Sequence, residues 1–132
     1  MSSMEVAITE GIKVTVDNYY MPEYSVPDKR HYVFGYKIKI ENLSAYTVQL
    51  LRRNWEIFDI VGDKREVIKG DGVIGQTPII DPGEFFEYVS GCHFISPIGK
   101  MKGTYEMKKV TESTLFDVEI PEFTLQPKFS IN

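Results

Sequence analysis

Between Tyr32 and Glu41 the chain alternates in a period of two. Tyr32, Phe34, Tyr36, Ile38 and Ile40 fall on one face, and Val33, Lys37, Lys39 and Glu41 on the other. Successive side chains of a strand point to opposite sides, so this pattern marks extended chain with one face buried. A helix would scatter the same residues around its circumference. The period recurs at Ile12, Val14 and Val16 against Lys13, Thr15 and Asp17, and at Phe116, Val118 and Ile120 against Asp117 and Glu119. It is clean again at Met101, Gly103, Tyr105 and Met107 against Lys102, Thr104, Glu106 and Lys108, and Phe85 to Cys92 reads as a further strand.

From Thr47 to Asp59 the phase changes. Val48 and Leu50 set one face while Leu51, Trp55 and Ile57 set the opposite one, with Arg52 and Arg53 at the switch. A β-bulge or strand break is expected there, because one extra residue is what inverts a strand's faces. Turn residues separate the runs at Gly62-Asp63, Asp71-Gly72, Asp81-Pro82-Gly83 and Ser96-Pro97-Ile98-Gly99. The longest loop-like piece is Met21 to Arg30, with Pro22 and Pro27. No stretch holds helical periodicity without a Pro, a Gly or a β-branched run, so helix content should be small. The expected fold is all-β, a two-sheet antiparallel sandwich of about seven strands of the immunoglobulin or fibronectin type III kind, with a closed barrel as the alternative. At 132 residues, residues 1–132 make one domain.

Hydrophobic residues make up 42% and charged residues 26%, ordinary values for a chain that folds alone. Fifteen Lys and Arg against nineteen Asp and Glu leave a net charge of −4, the wrong sign for a main partner that is nucleic acid or an anionic membrane. Cys92 is the only cysteine, which excludes an intramolecular disulfide and any multi-cysteine metal site and fits a reducing compartment. The start, Met-Ser-Ser-Met-Glu-Val, has neither a basic nor an apolar leader region, and no run approaches the roughly 18 apolar residues of a membrane span. A cytoplasmic protein without membrane insertion is the expectation.

Gly70-Asp71-Gly72-Val73-Ile74-Gly75 spells G-x-G-x-x-G. A dinucleotide site needs a helix after these glycines, and Gln76-Thr77-Pro78-Ile79-Ile80-Asp81-Pro82 is a poor continuation of one. What survives is a backbone nest. Amides of Gly70, Gly72 and Gly75 could face a phosphate or pyrophosphate with Arg52 or Arg53 as counter-charge, against the plainer reading of glycines that serve a turn or bulge. In a plain strand Arg52 and Arg53 diverge, so they converge only if the bulge is real, and Trp55 reads as core. His31, Cys92 and His93 are the only soft or borderline metal ligands, with Cys92 and His93 diverging in a strand, so no metal site is expected. No hydrolase elbow, P-loop or metalloprotease motif is present; no catalytic residue and no cofactor is assigned, and an enzyme is disfavoured. Tyr19, Tyr20 and Tyr24 around Pro22 form either an exposed partner patch or the cover of one end of the sandwich.

The stretches Leu50-Leu51-Arg52-Arg53-Asn54-Trp55, Gly70-Asp71-Gly72-Val73-Ile74-Gly75-Gln76-Thr77-Pro78, Pro82-Gly83-Glu84-Phe85-Phe86-Glu87-Tyr88-Val89-Ser90-Gly91 and Gly99-Lys100-Met101-Lys102-Gly103-Thr104-Tyr105 together resemble the ApaG family, and the likeness runs from about Glu5 to Pro127. The family often has His at the position of Asn54 and Glu at that of Asp71, so no histidine-dependent role carries over. The resemblance implies a fibronectin type III-like sandwich. It also implies a domain that stands alone in bacteria and is appended to larger eukaryotic proteins, some F-box proteins among them, as an interaction module. Bacterial members carry a label linking them to cobalt resistance and magnesium efflux, which a soluble sandwich could serve only through a partner. The expected function is therefore a non-catalytic binding module with a protein partner. A phosphate or nucleotide sensor at residues 70–75 is the alternative, a nucleotide hydrolase is less favoured, and unpaired sheet edges leave room for a homodimer.

Overall fold

The alternating segments fold as strands with their apolar faces turned inward. A computed structural model describes residues 3–60 and 63–127. Its strands are β1 (Ser3–Thr9), β2 (Ile12–Tyr20), β3 (Tyr32–Asn42), β4 (Val48–Asp59), β5 (Lys64–Asp71), β6 (Ile79–Ile80), β7 (Phe85–Phe94), β8 (Gly99–Lys109) and β9 (Thr114–Leu125). One antiparallel sheet runs β1-β2-β3-β7; the other runs β5-β4-β8-β9, with β6 also on β4. Ile12, Val14, Val16, Phe34, Ile38 and Ile40 from the first sheet meet Leu50, Met101, Tyr105, Met107, Val118 and Ile120 from the second, all buried. Trp55 is 4% exposed and stands edge-on to Phe123 at 6.1 Å between ring centres.

β5 lies along residues 52–59 of β4 and β6 along residues 48–49, while β8 takes the other side. β5 and β6 are thus one interrupted strand, and residues 72–78 are the interruption. With β1 set aside, three strands (β2, β3, β7) cover four (β5 with β6, β4, β8, β9), a fibronectin type III-like sandwich. β1, β5 and β6 are the strands that the alternation does not mark. The loop expected at Met21 to Arg30 holds two short 3-10 turns, Pro22–Tyr24 and Pro27–Lys29. Of the reversal expected at Gly62-Asp63, Gly62 lies outside the described residues, and Asp63 has a left-handed φ of 48°.

The expected bulge sits in β4. Leu50 pairs with Met107 and Arg52 with Glu106, so Leu51 is the extra residue. It moves the inward face from Val48 and Leu50 to Arg53 and Trp55. On one side the sandwich is closed: β9 packs on β1 and β2, and the Glu119 amide donates to Thr9 Oγ1 at 3.1 Å. On the other side the outer strands β7 and β5 face each other across a gap.

Deleting Leu51 removes the bulge and leaves Val48, Leu50, Arg53 and Trp55 at alternate positions of a regular strand, all on the inward face. The deletion variant is expected to keep its dispersed ¹H–¹⁵N spectrum and a buried Trp55 indole, and Leu51→Ala to cost about 1 kcal/mol in a urea titration; loss of dispersion on deletion would show that the bulge itself is required.

Candidate binding groove between two sheet edges

Residues directly opposite in an antiparallel pair share a face. Across β4 and β5 the register sets Arg53 beside Gly70, Trp55 beside Ile68, Ile57 beside Glu66 and Asp59 beside Lys64, all on the inner face of the second sheet. Tyr88, Ser90, Cys92 and Phe94 line the inner face of β7. The gap between them is a groove of about 560 Å³, floored by Tyr36, Trp55 and Met101 and rimmed by Ile74.

Arg53 is half-buried at one end of this groove. Its Nη1 donates to the carbonyls of Asp71 at 3.0 Å and Gly72 at 2.8 Å. A Cβ on Gly70 would lie 2.8 Å from the guanidinium carbon, so the absence of a side chain there is what lets Arg53 lie across β5. Among the described residues no carboxylate forms an ion pair with Arg53. Arg52 points the other way, and its Nε stands 3.4 Å from Asp71 Oδ1 on the exposed face. The bulge precedes both arginines instead of falling between them, so they diverge although it is real.

Three donors of the glycine loop are used within the chain. The Gly72 amide donates to Leu51 O at 2.8 Å, and Val73 and Gln76 exchange amide-to-carbonyl bonds at 2.9 Å. Ile74 and Gly75 between them have φ of 43° and 76°, the geometry of a type I′ turn. A Cβ on Gly72 would meet Gln76 O at 2.2 Å. Gly70, Gly72 and Gly75 are therefore turn and close-approach glycines, and the amides of Gly72, Val73 and Gln76 do not converge on a common point outside the loop. Ile74 departs from turn chemistry: a β-branched residue in the left-handed region is strained, and its side chain is 57% exposed at the groove rim.

Burial dominates the titration of the groove's acids. Desolvation pushes the Cys92 thiol up to about 12, and its Sγ lies 3.8 Å from Met101 Sδ. Desolvation likewise raises Tyr36, Tyr88 and Tyr105, with the Arg53 charge opposing the rise in all three. The Tyr88 and Tyr105 hydroxyls share a hydrogen bond, and Tyr36 is bonded to Ser90. At the far end Asp59 accepts the Ile95 amide at 3.1 Å and the Ser96 hydroxyl, which pins the β7–β8 connection.

Other candidates fall outside the groove floor. His31 and His93, far apart in sequence, stack at 5.2 Å between ring centres. Among the described residues no group of three or more His, Cys, Asp and Glu side chains could hold a metal ion, and no helix is long and apolar enough to cross a membrane. The three tyrosines do not form one patch. Tyr19 covers Gly35, Tyr20 packs on Phe34 at 5.4 Å, and Tyr24 is exposed.

The family model for the ApaG domain matches residues 22–109. A protein from Brucella canis named Protein ApaG is 43% identical over 122 residues, 92% of each chain. A namesake from Paramagnetospirillum magneticum is 44% identical over 117 residues, covering 89% of this chain and 88% of its own. A crystal structure of a Bordetella pertussis protein described as ApaA superposes with a TM-score of 0.85 at 39% identity, over 90% of this chain and 95% of that one.

Ile74→Asn places Asn-Gly, the favoured type I′ pair, at the turn and is expected to raise stability by about 1 kcal/mol in urea denaturation. Cys92 gives a pH signature. Its folded value, about 12 against an ordinary 9.0, means that the folded state keeps a proton that the unfolded chain releases. Stability from this group is full below the ordinary value and falls as pH rises toward the folded one. Urea midpoints measured from pH 8 upward are expected to drop less steeply in Cys92→Ala.

Proposed function

The chain belongs to the ApaG family, and we propose that it is a non-catalytic binding module that holds an extended segment of a protein partner in the groove between β5 and β7. The observation that carries this reading is the position of the groove between two outer strands, β7 of one sheet and β5 of the other. An outer strand presents a row of unpaired backbone donors and acceptors, which an added strand can pair while its alternate side chains enter the gap. The lining suits such side chains, since Trp55, Ile57, Ile68, Val73 and Phe94 are apolar and Tyr36, Tyr88 and Ser90 offer hydroxyls. The non-catalytic part rests on the same groups. Cys92, held as a thiol by burial, is a poor nucleophile at neutral pH, and the raised tyrosines are poor bases there.

Random dodecapeptides displayed with free C termini are the direct test. Binders are expected to shift amide signals of β5 and β7 and the Trp55 indole, with affinity at least tenfold weaker in Ile68→Asp. Ile74→Asn is expected to weaken binding too, despite its gain in stability. A library without binders, or binders that map away from the groove and ignore Ile68→Asp, would overturn the reading. Saturable shifts of Gly72 to Gln76 with pyrophosphate would favour the phosphate-sensor alternative in its place.

A further inference from the structure

Arg53 is the one charge in the groove that ordinary packing leaves uncompensated at its walled end. Two neutral carbonyls hold Nη1, and among the described residues the guanidinium has no other hydrogen-bond acceptor and no carboxylate partner. A half-buried cation beside Trp55, Tyr36 and Tyr88 stands in a medium where an unpaired charge is costly and an incoming anion is held strongly. The charge balance says which anion. The other charged side chains lining the groove are Lys64, Asp59 and Glu66, so with Arg53 the four together are formally neutral. A polyphosphate finds no excess of positive charge there, whereas a single carboxylate on an apolar body matches both Arg53 and its surroundings. The loop after Gly72 says how that carboxylate arrives. Val73, 1% exposed, is turned into the core immediately past the carbonyls that hold Arg53, and it closes that end of the groove. A chain laid along the groove toward Arg53 has no way onward.

Resting on the reading of the groove as a peptide site, we infer that Arg53 receives the C-terminal carboxylate of the bound segment, with the last side chain an apolar one packed on Trp55, Ile68 and Ile74. The guanidinium supplies paired N–H donors to the carboxylate, and the β5 and β7 edges steer the residues before it.

The test uses pools of N-acetylated hexapeptides that end in Phe, Leu or Val, made as free acids and as C-terminal amides, with a third pool carrying an internal Glu and an amidated end. Each is titrated into the ¹⁵N-labelled protein while the Arg53 Nε–H and Trp55 indole signals are followed. Trp55 is the only tryptophan, so its fluorescence gives a second readout. The free acids are expected to give saturable shifts at both signals, with the amides and the internal-Glu pool at least tenfold weaker. Arg53→Met is expected to erase the difference between acid and amide. Equal binding of acids and amides in the groove overturns the carboxylate assignment and leaves the peptide reading standing. Preference for the internal-Glu pool overturns the terminal part alone. Silence from every pool removes both. Because the acid-to-amide comparison runs on the unmodified protein, it decides even if Arg53→Met fails to fold.

Discussion

One additional residue in β4 holds the architecture together. Strand side chains repeat every two residues, so the extra Leu51 between Leu50 and Arg52 would exchange the two faces of everything that follows if it were not set out of the pairing as a bulge. Above the bulge Val48 and Leu50 fill the core; below it Trp55 does, packed on Tyr36 and Phe123. Without the bulge the indole would face solvent. The same step carries Arg53 inward, so the core and the groove are consequences of one local defect in pairing. Bulges are common where a strand must re-aim a side chain, and here the re-aimed side chain is a cation.

The groove also depends on what is missing from β5. Gly70 has no Cβ, so the guanidinium can lie across the strand and reach the Asp71 and Gly72 carbonyls. Those carbonyls begin the loop that splits β5 from β6, and the loop returns Val73 to the core. Arginine, glycine and valine form one mechanical unit: the cation ties down the loop, and the loop walls off the cation. The strained Ile74 sits at the tip of that unit with its side chain outward, a costly choice for a turn and a reasonable one for a contact.

Much of this fold was legible in the sequence, because β2, β3, β7, β8 and β9 each bury one face and expose the other. The three strands that escaped notice break that rule in different ways. β1 turns Met4, Val6 and Ile8 toward solvent, so its apolar residues advertise the wrong face. β5 is an outer strand crowded with Lys64, Arg65, Glu66 and Lys69, and its place comes from pairing with β4. β6 is two residues long, between Pro78 and Pro82. The phase conflict in β4 revealed the bulge, but only the register showed that it precedes both arginines and so keeps them apart. The glycine motif drew attention to this loop, but not to its bonds, in which the amides of Val73 and Gln76 close a turn while the carbonyls of Asp71 and Gly72 hold Arg53. The groove itself joins side chains from β3, β4, β5, β7 and β8, and no sequence window contains it.

The closed side of the sandwich has a practical meaning for how the molecule can be handled. β1 and β9, the first and last strands, lie together there, joined by Thr9 and Glu119, while the groove opens on the opposite flank. β1 turns Met4, Val6 and Ile8 outward on that side, so a dye placed on β1 sits away from the groove. The protein can be anchored to a surface through the outer face of β1 with its groove facing the solution.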